Sequence, residues 1–311
     1  MGTLEPARKS SPEDQLFVFD KNPDTTVKFV KEPESSPIKT IPVTAVSTPL
    51  EAVSESDVVL TVLPGPQHVK DFFATLITDL PVTEGIDERL FIDCSTIDPA
   101  TSRSVASLVH SKGKGKFVDA PMSGGVVGAT AGSLTFMLDC PSFAQDVVEA
   151  RVVPVLEKLG RKIWRLGGQG AGLSGKLANN YLLAICNIAT AEAFNLGIKW
   201  GLDPKVLADV VNSSSGRNCC SENNNPLPQI SLGAPANRDY EGGFAISLMK
   251  KDLKLAIAAA EEAGAQLELA DRAEQVYTAT EDEYKDKDLS VIYRYLQDQN
   301  RKFQTKTVRE V

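Results

Sequence analysis

The chain has 311 residues, of which 42% are hydrophobic and 24% charged, with a net charge of −8. That length holds two domains or one large one with an ample core, and the balance is that of an ordinary globular protein. The acidic total argues against a nucleic-acid-binding surface, which needs a basic stripe, whereas a small anionic substrate could still be drawn to a local cationic site.

Five cysteines (Cys94, Cys140, Cys186, Cys219 and Cys220) are odd in number and scattered, so they read as reduced thiols rather than a disulfide framework. Only the adjacent pair Cys219–Cys220 is a redox candidate, and no supporting ligands accompany it. With two histidines, His68 and His110, no histidine metal cluster is available and no metal is expected. Acid–base chemistry therefore falls to Lys, Asp or Glu. No apolar run reaches membrane-spanning length, so no membrane partner is expected. The opening MGTLEPARKSSPEDQ mixes Arg8 and Lys9 with Glu5, Glu13 and Asp14, unlike an arginine-rich, acid-poor mitochondrial presequence.

In chain order, the apolar run Leu16 to Phe19 ends in Asp20 before Asn22-Pro23 and predicts a buried strand. A short helix follows over Thr25 to Lys31, a loop over Pro33 to Pro42, and a strand over Val43 to Val46. Thr48-Pro49 supplies the cap and first residue of another helix. Strands are then predicted at Val58 to Leu63, Arg89 to Ser95, Lys116 to Pro121, Ser133 to Leu138 and Lys162 to Gly167. Helices alternate with them at Val69 to Leu80, Pro99 to Lys112 and Phe143 to Leu159. This alternation implies a mostly parallel sheet with helices on both faces. Beyond Gly167 no strand is predicted; helices run from Leu173 to Trp200, Lys205 to Val211, Ser247 to Ala263 and Leu267 to Glu283, and another starts near Leu289. The expected domains are an α/β Rossmann-type unit over 1–167 and an all-α unit over 168–311.

Gly170, Gly172 and Gly175 spell G-x-G-x-x-G, the dinucleotide fingerprint. It works by joining the first strand of a βαβ unit to its helix. Here it precedes the all-α half, so it reads as a decoy. Asp20, at the end of its strand, stands where a Rossmann fold places its ribose-binding carboxylate. The stretch MGTLEPARKSSPEDQ ahead of that strand contains no further strand and no glycine fingerprint, so the expected fold lacks its opening strand and phosphate loop.

DAPMSGG, Asp119 to Gly125, lies at a strand's carboxyl end, the edge facing the ligand crevice of an open α/β sheet. Its glycines could form an anion nest with Ser123 as a further donor, or they could simply serve a tight turn. Lys176 and Asn180 sit one helical turn apart on one face. A desolvated lysine there is a candidate acid–base group, although a lone lysine is more often a solvated surface charge. Lys250 and Lys251 read as an exposed, charged first turn, and both histidines as ordinary surface or crevice residues.

These segments together resemble the β-hydroxyacid dehydrogenase family, in particular its 3-hydroxyisobutyrate dehydrogenase branch. The resemblance rests on VLPGPQHVKDFF, FIDCSTIDPATS, FVDAPMSGGVVGATAGSLTFML, GAGLSGKLANNYLLA, AEAFNLGIKWGLDP, SSGRNCCSENNNPLP and GGFAISLMKKDLKLA, in that order over about Phe17 to Leu296. It implies Lys176 as the catalytic lysine, Asn180 as its substrate-holding neighbour, and Ser123, Gly124 and Gly125 as the substrate-carboxylate loop. It also implies NAD as cofactor, contacted by Leu63, Pro64, Thr96 and Lys251, with Asp20 at the ribose disfavouring a 2′-phosphate. The implied reaction is NAD-dependent oxidation of 3-hydroxyisobutyrate to methylmalonate semialdehyde in valine breakdown, by a mitochondrial homo-oligomer. The absent phosphate loop leaves a non-catalytic binding or dimerisation partner as the alternative, and a related semialdehyde reductase as another.

Overall fold

The computed structural model describes residues 15–31, 41–80, 88–139 and 145–309, without the side chains of 302–309. The first fourteen residues, Cys140 and most of the predicted 33–42 loop lie outside this description. Two compact units divide the chain, Met1–Leu173 and Ser174–Val311.

The first unit alternates strands and helices as its sequence pattern requires: β1 (Leu16–Val18), α1 (Pro23–Lys31), β2 (Val43–Ala45), α2 (Pro49–Ser54), β3 (Val58–Thr61), α3 (Pro66–Asp79), β4 (Leu90–Asp93), α4 (Pro99–Ser111) and β5 (Lys116–Asp119). The helix starts are set locally. Thr48 caps α2 by accepting from Glu51 N, Asp98 caps α4 by accepting from Thr101 N, and both helices take proline in their first turn, where a missing N–H costs nothing.

Instead of one continuous sheet, three ladders form: β1 with β2, β3 with β4 and β5, and β6 (Met122–Ser123) with β7 (Leu134–Leu138) and β8 (Gly160–Arg165). All pairs are parallel except β6 with β7. Among the described residues no strand precedes β1, and β1 and β3 each keep one edge without a ladder partner. The second and third ladders join at one end, where Asp139 N donates to Asp119 O and Met137 N to Pro121 O.

Two further elements lie inside the predicted glycine-rich turn, β6 (Met122–Ser123) and α5 (Gly125–Thr130), before β7 (Leu134–Leu138). The predicted 143–159 helix is broken by a π-turn at Val148–Val152 between α6 (Gln145–Val147) and α7 (Val153–Leu156), and β8 (Gly160–Arg165) ends the series. Helix α3 lays Val69, Phe73, Leu76 and Ile77 into the core, the i, i+4, i+7, i+8 stripe of an amphipathic helix. Phe73 meets Phe91 of β4 and Phe117 of β5 edge-on, each at 5.3 Å between ring centroids, so its loss to alanine would cost about 3–5 kcal/mol.

The second unit is helical. Its helix α8 (Ala171–Lys199), which begins in the first unit, is followed by α9 (Pro204–Ser213), α10 (Cys219–Glu222), α11 (Ile246–Glu262), α12 (Ala270–Tyr284) and α13 (Ile292–Arg309). Phe194, Met249, Leu253, Tyr277 and Ile292 form its buried centre. The Tyr277 hydroxyl donates to Ala184 O and accepts from Asn187, so this buried polar group is paired. By length and composition α8 would suit a bilayer, correcting the expectation that no run is long enough. It nonetheless buries Ala184, Ala191 and Phe194 in the unit's core, as the central helix of a helical domain does.

Candidate functional site

In the first unit the candidate residues gather at the carboxyl ends of parallel strands. Leu63 and Pro64 follow β3, Thr96 follows β4, and Ser123 follows β5 on the short strand β6. The edge is held by a buried network. Thr61 Oγ1 and Ser95 Oγ both donate to Asp93 Oδ1, at 2.7 and 2.6 Å, and Leu63 N donates to Ser95 Oγ at 2.8 Å. Burial pushes the Asp93 carboxyl up to about 6, against the lowering effect of those hydrogen bonds. Asp20 is exposed at the end of β1 and accepts from Asn22 N at 2.7 Å.

Ser123 pairs with Thr135 across the antiparallel ladder. Gly124 and Gly125 follow with φ of +136° and +60°, a backbone that side-chain-bearing residues rarely adopt. A Cβ on Gly124 would also press on Leu134 at 3.1 Å. The turn's own geometry thus demands both glycines. An anion-nest role is compatible with that demand and is not required by it.

The decoy fingerprint has a clear structural task. Gly170 N and Leu173 N donate to Asp119 Oδ1 and Oδ2 at 2.8 and 3.2 Å, while Ser102 Oγ and Gln169 Nε2 also donate to Oδ1. A carboxylate from β5 therefore takes the first-turn donors of α8 that a pyrophosphate would need. A Cβ on Gly172 would lie 2.1 Å from Met137 O, so glycine there permits close helix–strand packing. Sequence reading placed Asp119 in a motif and missed this function.

In the second unit Lys176 and Asn180 lie on α8, only 7% and 1% exposed. Asn180 Nδ2 donates to Asp252 Oδ2 of α11 at 2.6 Å, and Lys251 Nζ lies 2.9 Å from Asp252 Oδ1. Desolvation lowers the Lys176 pKa, the Asp252 charge opposes that shift, and Lys251 adds to it. A buried amine beside an amide and a carboxylate gives up its proton more readily than a solvated lysine and is equipped for proton exchange. Asp252 was not singled out from sequence; an acid in an otherwise apolar-periodic helix was the available signal. Lys250 and Lys251 are half-buried in the second turn of α11, correcting the exposed first turn expected of them, and Lys250 pairs with Glu281 of α12.

The other candidates stay structural. His110 Nε2 accepts from Phe117 N. Burial pushes the thiols of Cys219 and Cys220 up, away from the reactive thiolate. Among the described residues no group of three or more His, Cys, Asp or Glu could hold a metal ion.

Comparison with known proteins places this arrangement. The family described as the NAD binding domain of 6-phosphogluconate dehydrogenase matches residues 1–168, and that described as the NAD-binding of NADP-dependent 3-hydroxyisobutyrate dehydrogenase matches 170–296. The chain is 39% identical to a 3-hydroxyisobutyrate dehydrogenase of Pseudomonas aeruginosa, over 85% of this chain and 83% of the relative. The chain belongs to the 3-hydroxyisobutyrate dehydrogenase family. It is thus of an NAD(P)-binding 3-hydroxyacid dehydrogenase kind, with the Rossmann-type unit followed by a helical unit that characterises this family. A probable mitochondrial member from Arabidopsis thaliana is 40% identical over 80% of this chain and 73% of its own length. An NAD-dependent L-serine dehydrogenase of P. aeruginosa is also 40% identical, over 78% and 80%. The Mycobacterium tuberculosis family member solved with L-serine shares 37% identity and a TM-score of 0.73, covering 82% of this chain and 84% of its own.

The residues expected to contact a nicotinamide dinucleotide, Asp20, Leu63, Pro64 and Thr96, lie just past the carboxyl ends of β1, β3 and β4. No glycine fingerprint joins a strand to a helix among the described residues.

Proposed function

We propose that this family member oxidises a small 3-hydroxy acid, 3-hydroxyisobutyrate, to methylmalonate semialdehyde, as in valine breakdown. The observation that carries the reading is the buried Lys176, backed by Asn180 and Asp252 on neighbouring helices. Bound NAD supplies the hydride acceptor. Lys176, its amine drawn toward the neutral form by desolvation, takes the proton from the substrate hydroxyl. Asn180, oriented by Asp252, hydrogen-bonds the same oxygen. Ser123 and the backbone of Gly124 and Gly125 hold the substrate carboxylate. Asp20 favours NAD over NADP, because a carboxylate repels a 2′-phosphate, and Leu63, Pro64, Thr96 and Lys251 line the cofactor.

L-Serine, itself a 3-hydroxy acid, is the second candidate substrate, favoured by the L-serine dehydrogenase relative and the structure solved with L-serine. Several relatives are named as mitochondrial, which supports the same compartment here. A homo-oligomer is supported by the exposed Leu182 and Leu196 on α8, Trp200 just after it, and Val206 and Val210 on α9, apolar side chains that association would cover.

The test is NAD reduction with 3-hydroxyisobutyrate and L-serine, in the wild type and in Lys176→Ala. Turnover of one substrate, reduced at least a hundredfold by the substitution, is expected. A folded wild-type protein that turns over neither substrate would overturn the reading and favour a non-catalytic binding role.

A further inference from the structure

The buried carboxylate of Asp93 performs no step in the chemistry above, yet it is the point where two candidate cofactor loops meet. It is fully buried at the carboxyl end of β4, and Thr61 and Ser95 around it are nearly so. A single oxygen, Oδ1, collects the hydroxyls of Thr61 and Ser95 and, at 3.3 Å, the Ser95 N–H. Oδ2 is buried and has no hydrogen-bond partner among the described residues. Ser95 in turn accepts the Leu63 N–H at 2.8 Å.

A chain of three links therefore runs from Asp93 through Ser95 to the backbone of the loop after β3. A second arm through Thr61 ties the last residue of β3 itself. Thr96 is the next residue along the loop after β4.

An unpaired oxygen and a desolvated charge make Asp93 a costly way to fill this space. A site that keeps such a group invites the question of what its charge holds. The neighbouring ionisable groups offer no compensation, since the Asp119 carboxylate on β5 disfavours a second negative charge. What the charge provides is two short, charge-assisted hydrogen bonds, roughly twice as strong as neutral ones, directed at the loops after β3 and β4.

We propose that Asp93 is a positioning residue that locks the loops after β3 and β4 together, so that Leu63, Pro64 and Thr96 form a preset edge for the nicotinamide dinucleotide. This rests on the cofactor reading given above for those three residues. Preorganisation of this kind spares the binding partner the entropy of ordering two loops. It also explains why a polar triad of Thr61, Asp93 and Ser95 interrupts strand ends that are otherwise apolar.

The test uses the full chain and two readouts, amide hydrogen exchange by mass spectrometry without ligand and NAD titration by calorimetry. In Asp93→Ala and Ser95→Ala, exchange across residues 62–65 and 95–98 should rise at least tenfold, while β5 and α11 keep their rates. The NAD dissociation constant should rise at least tenfold in the same variants. Asp93→Asn, which keeps an acceptor oxygen but loses the charge, should recover only part of the protection. If Asp93→Ala does not fold, Ser95→Ala and Thr61→Val each remove one arm and are read in the same way. Unchanged exchange in both loops, or a uniform rise across the unit, would overturn the proposal even with NAD binding intact. A wild type that binds no NAD would instead overturn the cofactor reading and the purpose assigned to the lock, with the exchange data still deciding whether the two loops are tied.

Discussion

Gly172→Ala separates two readings of the G-x-G-x-x-G stretch in a single substitution. If the stretch packs helix α8 against β7 and the Asp119 clamp, a methyl group there has no room. Its carbon would lie 2.1 Å from Met137 O and 2.7 Å from Asp119 Oδ2, so backbone has to move. Overpacking of this kind costs about 1–3 kcal/mol. The displaced turn also weakens the Leu173 N–H bond to Asp119, a bond to a charged group worth about 1.5–3 kcal/mol. Alanine returns about 1 kcal/mol through helix propensity, leaving a net loss of about 2–5 kcal/mol. For a unit of this length, a loss of about 3 kcal/mol lowers the melting midpoint by about 6–12 °C. Differential scanning calorimetry measures this directly. Gly168→Ala, where no atom lies within 4 Å of the added carbon, serves as the control and should stay within about 0.5 kcal/mol. Were the stretch a phosphate cradle instead, Gly172→Ala would weaken NAD binding and leave stability within about 1 kcal/mol of wild type. That result would refute the clamp.

Asp252→Asn removes the charge that opposes the lowering of the Lys176 pKa. Lys176 must be neutral to accept a proton, so activity is lost as pH falls through its pKa, and the acid limb of the kcat profile should move to lower pH in the variant. Asp93 has a folded-state value raised to about 6 over an unfolded one of about 3.9. Its contribution to stability is therefore fully present below about pH 3.9 and lost as pH rises through about 6, up to about 3 kcal/mol in all. Urea unfolding of wild type minus Asp93→Asn should accordingly change by about 2 kcal/mol between about pH 7.5 and pH 4.5, and a flat difference would refute the burial argument. Asp20→Ser should lower the preference for NAD over NADP at least tenfold in kcat/KM, as removal of a carboxylate facing the 2′ position requires; an unchanged ratio would remove Asp20 from the ribose.

The alternation of strands and helices was legible because β4 opens with an apolar run (Leu90, Phe91 and Ile92 are wholly buried) and because α3 carries its stripe at helical spacing. The cap Thr48 marked a helix start for a similarly local reason. What escaped were pieces too short to have a period: β6 has two residues and α5 six, and both are set by the glycine dihedrals and the β7 partner. The splitting of the sheet into separate ladders depends on which edges find partners across the chain, and a pattern of single strands does not encode that pairing. At the candidate site, Lys176 and Asn180 could be paired from helical spacing alone. Their partner Asp252 lies 72 residues from Asn180, and only the packing of α8 against α11 makes them neighbours.

Three of the carboxylates that matter most, Asp93, Asp119 and Asp252, are each buried, and each is spent on holding something else. Asp119 collects the first-turn donors of α8, Asp93 the hydroxyls beside the loops after β3 and β4, and Asp252 the amide of Asn180. None is free to act as a general base while it accepts those bonds, because protonating it would weaken the contacts that fix its partners. Lys176 differs in kind: it is buried, its pKa is lowered, and no hydrogen bond or ion pair to it is found among the described residues. A proton-transfer group needs that freedom. That contrast, between carboxylates engaged in positioning and one amine left unengaged, is what supports the proton-transfer role proposed for Lys176.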